Sequence, residues 1–582
     1  MQHIAIVGGG PRGLAALEAL ILTLSKTKNN FNGKITIFEQ SKFLGAGEVY
    51  SPDQADTNWL NISQRGLTLS ARPEITLNGI YIAEFPSYQT WVNTPNNSTI
   101  NDPDIFPPRS TLGRYLVERF ECIARPLRKV NLVDIIKAKI ISTQWNGKNF
   151  DITSECNRSW CASEVALTIG HQPTKVSKQW LEWKAVADNS KYIEMIDYPY
   201  PVSALNKNKT RDRDNGVAIR GFGLAMVDAM RALTSGRGGR FISSTDKPMN
   251  MVYSKNGQEP KSIVPFSLDG LPMAPKPFNE KVDQQFFPTE QELHNLEDTL
   301  SKAAQKGSET SKDFVLTAIA KIATRVFNDL PDNAKVTNKP DNNLTSDELH
   351  TCIYQWLNDN TFECNLIMSC KLDTYILMES FVKMAFSEAP ISLDYCIGHV
   401  WRHCQPTFYK ALSYSNLDDD VMAEIIEKDE QLKRYSYGPP VQSIQQILAL
   451  VDADIVNLNF NNDPDIKITP KGWTLTKGSQ SITLAKMVNS VLDSPAVAKV
   501  NSPIIEHLKS QNLVKLVSSD LGVATKKNGC IEPINDHENI PLAIMGRLAK
   551  GTLLGVDAIL ECFNERAKFW AEDVIKRIPK LP

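Results

Sequence analysis

The sequence is poor in long hydrophobic runs and in excess charge of either sign. None of its apolar runs reaches the roughly 18 residues that a membrane-spanning helix needs, so we expect no membrane anchor. The formal net charge is only -2 over 582 residues, which gives no electrostatic reason to expect binding to nucleic acid or to an anionic membrane. The first residues already form an apolar strand, which predicts that no signal peptide is present. These absences leave a small-molecule substrate as the expected partner.

Closely spaced cysteines and metal-ligand motifs are also missing. Ten cysteines are scattered along the chain, and none forms a C-x-x-C pair. This usage is typical of reduced thiols in the cytoplasm, and it argues against a flavin disulfide reductase, which needs a close redox pair. His399 and His403 lie one helical turn apart, but no third ligand and no H-E-x-x-H motif accompany them. We therefore expect no metal site.

The first motif that is present is a glycine loop between a strand and a helix. Residues 4–7 form a short apolar run, and a helix-compatible run begins at Leu14. The G-x-G-x-x-G pattern between them is typical of dinucleotide-binding proteins. Its glycines permit a tight turn, approach of a pyrophosphate to the backbone, and close packing of the helix on the strand, while the helix start offers unpaired N–H groups to the phosphates. The loop residues predicted to bind the cofactor are Gly8, Gly10, Pro11, Arg12 and Gly13.

A carboxylate at the end of the next strand favours one cofactor. Residues 34–39 form a second apolar strand that ends on Glu39. An acid at this position hydrogen-bonds an adenosine ribose and repels a 2′-phosphate, which favours FAD. The spacing from the glycine loop exceeds the usual interval of about 20 residues, and the polar stretch at 26–33 accounts for the excess. A glycine turn in an unrelated α/β protein is the alternative.

Three further positions in this first part of the chain are candidate cofactor contacts. Asn61 lies in an amide-bearing loop that could lie against a flat ring system, although ordinary surface-loop chemistry explains it equally well. Arg109 precedes an amphipathic helix and could contact the cofactor or a partner domain, with an exposed surface arginine as the alternative. Gly170 ends an apolar strand, where a glycine lets the chain pass close to a bound dinucleotide.

A second strand, glycine turn and helix follow the polar stretch at 206–215. The strand at 216–220 leads into Gly221 and Gly223, the second pair of candidate phosphate-binding glycines. Met226 replaces the third small residue of the pattern. A side chain of that size pushes helix and strand apart, so this second fingerprint is imperfect.

The residues after the next strand indicate the second cofactor. The strand at 250–253 ends on Ser254 and Lys255, where the first repeat carries an acid. A hydroxyl and a cation suit a 2′-phosphate, which predicts NADPH at the second site. A simple exposed turn is the alternative for this pair.

The order of these patterns predicts an α/β protein with two Rossmann-like dinucleotide-binding domains, for FAD and NADPH, and a large, mainly helical insertion or extra domain. Near the C-terminus a buried-type strand ends at Gly546, and a helix follows Asp557. We expect these two residues to lie near the flavin or its ribityl–phosphate chain. The predicted divisions are an FAD-binding domain at 1–175, an NAD(P)-binding domain at 176–275, a helical region at 276–520 and a C-terminal return to the FAD-binding domain at 521–582.

These motifs together resemble those of bacterial FAD/NAD(P)-binding proteins, in the large flavoprotein group with two dinucleotide-binding domains. That family is similar to flavin-dependent monooxygenases, including N-hydroxylating enzymes that act on amino acids, such as nitrosuccinate synthases. The resemblance extends over most of the chain but says little about the helical middle. It rests on residues 7–13, Leu60-Asn61, 106–109, 168–171, 220–223 and Gly546-Arg547.

The resemblance implies an FAD- and NADPH-dependent monooxygenase that N-hydroxylates a small amine or amino acid through a flavin C4a-hydroperoxide. The alternative is an FAD-dependent reductase or oxidase that oxidises NAD(P)H without oxygenating a substrate. A non-enzymatic adapter is a third hypothesis, and the two glycine loops with a ribose-binding acid count against it. The sequence identifies no catalytic residue. We expect a cytoplasmic oxidoreductase whose helical region has room for a lid, a substrate pocket or a homo-oligomer interface.

Overall fold

Two parallel β-sheets organise the protein. The computed structural model describes residues 2–27, 30–93, 99–207, 215–244, 247–337, 344–491, 496–534 and 540–579. The strands are β1 Gln2–Val7, β2 Gly33–Glu39, β3 Ile75–Leu77, β4 Ile80–Ile82, β5 Val133–Lys137, β6 Ile140–Trp145, β7 Phe150–Ser154, β8 Ser159–Ala162, β9 Glu164–Leu167, β10 Glu194–Ile196, β11 Val217–Arg220, β12 Arg240–Ser243, β13 Met251–Ser254, β14 Ile263–Phe266, β15 Asp465–Thr469, β16 Gly472–Lys477, β17 Gln480–Leu484, β18 Lys486–Asn489 and β19 Leu542–Ile544.

Most of the α-helices lie in the middle of the chain. Among the residues that the structure describes, no helix is both long and apolar enough to cross a membrane. The helices are α1 Pro11–Leu24, α2 Tyr88–Trp91, α3 Arg109–Lys129, α4 Lys178–Asp188, α5 Leu224–Leu233, α6 Glu280–Asp283, α7 Glu290–Lys306, α8 Asp313–Asp329, α9 Ser346–Asn358, α10 Thr374–Ala385, α11 Leu393–Leu412, α12 Asp419–Ser436, α13 Val441–Asp452, α14 Pro503–Ser510 and α15 Glu565–Arg577.

The first sheet has five parallel strands in the order β19-β9-β1-β2-β5. Side chains alternate between its faces: Ile4 and Ile6 pack with helices α1 and α3, whereas Ala5 and Val7 pack towards the antiparallel strands β6–β8. Both faces are therefore covered, as a parallel sheet requires. Because all five strands point the same way, the loops after β1, β2, β9 and β19 meet at one edge of the sheet.

The second sheet has four parallel strands in the order β10-β18-β11-β14. Val217 and Ile219 of β11 face helix α5 and the helical core, and Ala218 faces Trp180 of α4 and Trp473 of β16. Strand β18 pairs with β11 although helices α6–α13 and strands β15–β17 separate the two in sequence. The helical region is therefore inserted between two strands of one sheet.

The predicted fold class, with two Rossmann-like sheets and a large helical region, is confirmed. The region expected to be mainly helical, 276–520, is helical as far as Asp452; residues 465–489 then form four strands, one of which completes the second sheet, and helix α14 follows them. Strand β19 joins the first sheet beside β9, and α15 packs against α1. The exact domain limits stay predictions.

Candidate active site

The first glycine loop has the geometry that a dinucleotide requires. Gly8 has a φ of +107°, and its N–H donates to the Phe38 carbonyl at 2.8 Å. A Cβ at Gly13 would lie 2.1 Å from the Gly8 carbonyl oxygen, so only glycine lets α1 pack this closely. A Cβ at Gly10 would meet no protein atom nearer than 3.7 Å. Gly10 thus leaves bare backbone at the helix start, next to Pro11, the first residue of α1.

Glu39 stands at the end of β2, beside this loop. Its carboxylate oxygens accept the N–H groups of Gly9 at 2.5 Å and Ser41 at 2.7 Å. Helix α1 has no acidic residue in its first turn that would repel a phosphate. The helix start, the bare backbone and the acid at the neighbouring strand end fit the phosphates and ribose of FAD.

The C-terminal segment covers the first loop. Arg12 donates to the carbonyl oxygens of Val556 and Glu561, so its guanidinium holds this segment in place. Gly546 has a φ of +97°, and a Cβ there would collide with the Arg12 side chain. Gly170 follows β9 with a φ of +66° and open space where a Cβ would stand. The structure therefore brings the predicted residues after β1, β2, β9 and β19 to one sheet edge.

The second glycine loop repeats the first in its backbone. The Gly221 N–H donates to the Phe266 carbonyl at 2.8 Å, and Gly221 has a φ of +113°. Gly223 caps α5, and a Cβ there would meet no atom nearer than 3.8 Å. Met226 is 1 % exposed and packs in the core, so the oversized third residue is absorbed by apolar neighbours.

The predicted place of Ser254 and Lys255 was wrong. Strand β13 pairs antiparallel with β12, outside the parallel sheet, and both residues are exposed. The strand beside β11 is instead β14, in which Phe266 stands opposite Arg220 as Phe38 stands opposite Val7 in the first sheet. Ser267 therefore occupies the position equivalent to Glu39. The hairpin β12–β13 lies between α5 and β14 in sequence, so counting along the chain chose the wrong strand.

A cleft of about 1910 Å³ lies between the two sheets and the helical region. It contains the predicted residues Asn61, Gly221, Gly223 and Asp557, whereas the glycines of the first loop are not part of its wall. Charged side chains from distant parts of the chain meet there. Among them are Arg65, Asp104, Arg220, Lys276, Asp283, Arg402, His403, Lys433, Arg547, Lys550 and Asp557.

One group of these charges surrounds Asp283, at the end of α6. Arg65 donates to Asp283 at 2.8 Å and to Asp104 at 2.7 Å, and His403 Nε2 lies 3.1 Å from Asp283 Oδ1. Arg402 also pairs with Asp283. Burial raises the pKa of Asp283, but the cations, Arg402 first among them, outweigh it and hold that pKa well below its usual range. Asp283 therefore stays ionised and fixes two arginines in the cleft.

Lys276 and Arg402 still have donors to offer in this group. Arg402 Nε is buried and has no hydrogen-bond partner among the residues described. Lys276 Nζ donates to the backbone oxygen of Asn61. Burial, with a smaller effect from Arg402, lowers the pKa of Lys276 to about 7, and burial lowers the pKa of His403 to about 4. A large fraction of Lys276 is therefore neutral near pH 7, and a neutral amine can accept a proton.

Asp557 belongs to a second charged group. Its carboxylate pairs with Arg547 at 2.9 Å, Lys433 at 2.6 Å and Lys550 at 3.5 Å. Burial raises its pKa, but these cations lower it to well below the usual range. Asp557 thus joins the C-terminal segment to helix α12, a role that its place in the sequence did not predict.

Arg109 joins the first sheet to the second. It pairs with Asp228 of α5 at 2.7 Å and donates to the Tyr200 hydroxyl at 3.0 Å. Arg231 lies 3.8 Å from the Asp228 carboxylate and 3.8 Å from the centre of the Trp59 ring. Arg109 was expected to contact either the cofactor or a partner domain, and in the structure it contacts helix α5, which follows a strand of the second sheet.

Asp228→Ala should lower the free energy of unfolding by about 3 kcal/mol, because it leaves two buried guanidinium groups without their carboxylate. Urea denaturation with Glu182→Ala as the control measures this effect. Glu182 forms an exposed pair with Lys178 at 4.0 Å, so its loss should cost less than about 1 kcal/mol. Equal losses for the two variants would contradict a structural role for the buried network.

The Asp283 group was missed because its members are far apart in sequence. Arg65, Lys276 and Arg402 follow no spacing rule, and the fold alone brings them together. His399 and His403 were noticed for their helical spacing, but His399 is fully buried and burial keeps its pKa well below the usual value. One sequence signal could have indicated this group: Lys276 lies between Pro275 and Pro277, and a lysine in a rigid, apolar context is a candidate for an altered pKa.

A protein of this fold has two dinucleotide-binding sheets around one cleft. Residues 5–172 match the protein family described as FAD-NAD(P)-binding. The predicted resemblance to FAD/NAD(P)-binding flavoproteins is confirmed for this part of the chain.

Relatives with known activities match about half of the chain. Nitrosuccinic acid synthase of Aspergillus oryzae is 28 % identical over 283 residues, which are 48 % of this chain and 42 % of that protein. An L-aspartate N-monooxygenase (nitrosuccinate-forming) of Streptomyces davaonensis is 22 % identical over 304 residues, 48 % of this chain and 45 % of that protein. The chain thus spans less than half the length of these relatives. Among solved structures, ornithine hydroxylase of Pseudomonas aeruginosa aligns over 99 % of this chain and 100 % of its own, with a TM-score of 0.45 and 9 % identity.

Proposed function

We propose that this protein is an FAD- and NADPH-dependent monooxygenase that N-hydroxylates a small amino acid with a second carboxylate, of which L-aspartate is the first candidate. The observation that carries the proposal is the cleft between two glycine-loop sheets, with Lys276 and Arg402 in its wall. Bound flavin would supply the reduction of O2 and the transfer of one oxygen atom. The names of the two relatives support L-aspartate as substrate. The scattered cysteines support a reducing compartment such as the cytoplasm.

The substrate carboxylates bind to the cations of the Asp283 group. Arg402 lies in the wall of the cleft, and a carboxylate bound there would form a charge-assisted hydrogen bond with its guanidinium. Asp283 keeps Arg402 and Arg65 in place through its own ion pairs, so little ordering is needed when the substrate binds. This arrangement favours an anionic substrate over a simple amine.

Lys276 prepares the amine for oxygenation. An ammonium group has no lone pair, so the substrate nitrogen must lose a proton before it can attack oxygen. Lys276 lies in the same charged group and is partly neutral near pH 7, so its Nζ can accept this proton. The nearby carboxylates of Asp283 and Asp104 then stabilise the positive charge that Lys276 acquires. The guanidinium groups of Arg402 and Arg65 act against that charge.

Arg220 and Ser267 are the residues that we propose for the 2′-phosphate of NADPH. Arg220 ends β11 and lines the cleft, with its guanidinium 5.7 Å from the centre of the Trp180 ring. Its Nη1 donates to Asn489 Oδ1 at 3.3 Å. Ser267 stands one residue beyond the partner of Arg220 in β14. A half-buried cation at this edge suits a phosphate, and the Ser267 hydroxyl, which donates to Asp269 at 2.9 Å in this structure, would turn to donate to the phosphate instead.

Arg220→Ala should raise KM for NADPH about tenfold or more, the cost of losing one hydrogen bond to a charged group, and should change KM for NADH much less. Lys255→Ala is the matched control and should leave both values unchanged. Steady-state NAD(P)H oxidation measures all four values. A selective loss of NADPH binding in Lys255→Ala would show that the 2′-phosphate binds at the exposed hairpin of β12 and β13, not at Arg220.

The proposed reaction is tested by supplying purified, FAD-loaded protein with NADPH, O2 and a panel of small acids. L-Aspartate should accelerate NADPH oxidation and yield an N-oxygenated product by mass spectrometry. Succinate, which lacks the amine, should give no product, and L-alanine, which lacks the second carboxylate, should react poorly. NADPH oxidation that yields only hydrogen peroxide with every compound would favour the oxidase alternative.

A further inference from the structure

A pair of cysteines outside the cleft lies close enough to react. Cys352 is on α9, and Cys364 is in the segment between α9 and α10. Their Sγ atoms are 3.0 Å apart, and both are free thiols in this structure. Cys352 is 8 % exposed, whereas Cys364 is only half-buried and lies next to exposed Glu363. A small movement would bring the two sulfurs to the roughly 2.05 Å of a disulfide bond.

The surroundings make the two sulfurs unequal. The hydrogen bond between the two sulfurs, in which either atom can be the donor, and the N–H groups of Leu366 and Ile367 lower the pKa of Cys364. The same hydrogen bond, with burial, raises the pKa of Cys352. The more accessible sulfur, which has the lower pKa, therefore lies against a buried thiol, and this is the arrangement of an attacking and a resolving cysteine.

We propose that Cys352 and Cys364 form a reversible disulfide when the protein is exposed to hydrogen peroxide. The Cys364 thiolate attacks one peroxide oxygen and the O–O bond breaks, which leaves a sulfenic acid and a hydroxide that takes up a proton to form water. The Cys352 sulfur then attacks the Cys364 sulfur, the S–O bond breaks, and a second water leaves with the Cys352 proton. In total, two thiols lose two electrons and one hydrogen peroxide becomes two waters. This site does not depend on the proposed function.

The disulfide would fasten a segment on which helix α11 rests. Within that segment, the Leu366 carbonyl accepts the Leu393 N–H at 2.7 Å, and the Met368 N–H donates to Asp394 at 2.9 Å. Both partners begin α11, which carries Arg402 and His403 in the cleft. The bond would close a loop from residue 352 to residue 364 and restrict the unfolded chain, so the oxidised protein should melt at a higher temperature than the reduced one.

The test is peroxide treatment of the purified protein, followed by alkylation and peptide mapping without reduction. We expect a Cys352–Cys364 cross-link that dithiothreitol removes. Cys370→Ser, a change in the same segment, should keep this cross-link, and Cys352→Ser should instead accumulate a dimedone-reactive sulfenic acid at Cys364.

Two results would overturn the proposal. One is a Cys364 that stays reduced in the unmodified chain while the exposed Cys156 and Cys161 are oxidised. The other is a cross-link from Cys364 to Cys370 in place of Cys352. Because mapping of the unmodified protein decides between these outcomes, the test does not depend on the folding of any variant. It also needs no cofactor or substrate, so its result is separate from that of the proposed monooxygenase activity.

Discussion

Gly10→Val should give a folded protein that is colourless because it no longer binds FAD. The protein itself leaves room for a Cβ at Gly10, whose nearest neighbour would be Gly47 Cα at 3.7 Å. The added side chain would therefore occupy the space where the pyrophosphate approaches the backbone. We expect flavin binding to fall by at least about 100-fold, since the phosphates lose both contact with the loop and the helix start. Absorbance at the flavin bands of the purified protein measures the loss.

Gly223→Val is the matched variant in the second loop. A Cβ there would meet only Met273 Sδ, at 3.8 Å. This variant should keep the yellow FAD spectrum but lose reduction by NADPH, so that each glycine controls one cofactor. If Gly10→Val retained stoichiometric FAD with a normal circular dichroism spectrum, the first loop would not be the FAD site. Gly10→Ala gives a smaller obstruction and the same comparison in case valine prevents folding.

Lys276→Gln should lower the rate of amino acid N-oxygenation by about 100-fold, the usual contribution of a general base. NADPH oxidation should continue and its electrons should appear as hydrogen peroxide, because the variant leaves both glycine loops intact. The control is Lys281→Gln, at an exposed lysine of α6, which should keep the normal rate. Product and peroxide are measured together against NADPH consumed.

The pH profile separates a base from a binding residue. Lys276 accepts a proton only when it is neutral, so kcat/KM should rise with pH and level off above about 7. In Lys276→Gln this rise should disappear, and the rate should instead follow the pKa of the substrate amine. A variant that raises KM but keeps the profile would show that Lys276 holds the substrate without taking its proton.

The first cofactor site was predictable because its determinants are local. A strand, Gly8, Gly13 and an acid-ended strand occur within 39 residues, and each has a steric or hydrogen-bonding reason to be there. The structure adds contacts between residues that are far apart in sequence, such as the hydrogen bond from Arg12 to the C-terminal segment. Local backbone chemistry therefore specified this part of the fold and its site.

The second site was only partly predictable because insertions separate its parts. The hairpin of β12 and β13 follows α5, so the prediction chose Ser254 at the end of β13. The strand that pairs with β11 is β14, and Ser267 is the residue that follows it. Strand β18 completes the sheet more than 200 residues after β14. Strand pairing over such intervals is decided by packing of the whole domain, which sequence periodicity does not report. The same reason hid the Asp283 group, whose members come from four separate segments.

The most direct test of the proposed N-hydroxylation follows labelled oxygen from O2 into the product. FAD-loaded protein is reduced with NADPH without air, then mixed with 18O2 and L-aspartate, and the product is analysed by mass spectrometry. N-hydroxylation through reduced flavin predicts an oxygenated amino acid that carries 18O on nitrogen, in an amount that follows the NADPH consumed. Quantitative recovery of unlabelled L-aspartate, with all of the label in hydrogen peroxide, would contradict it.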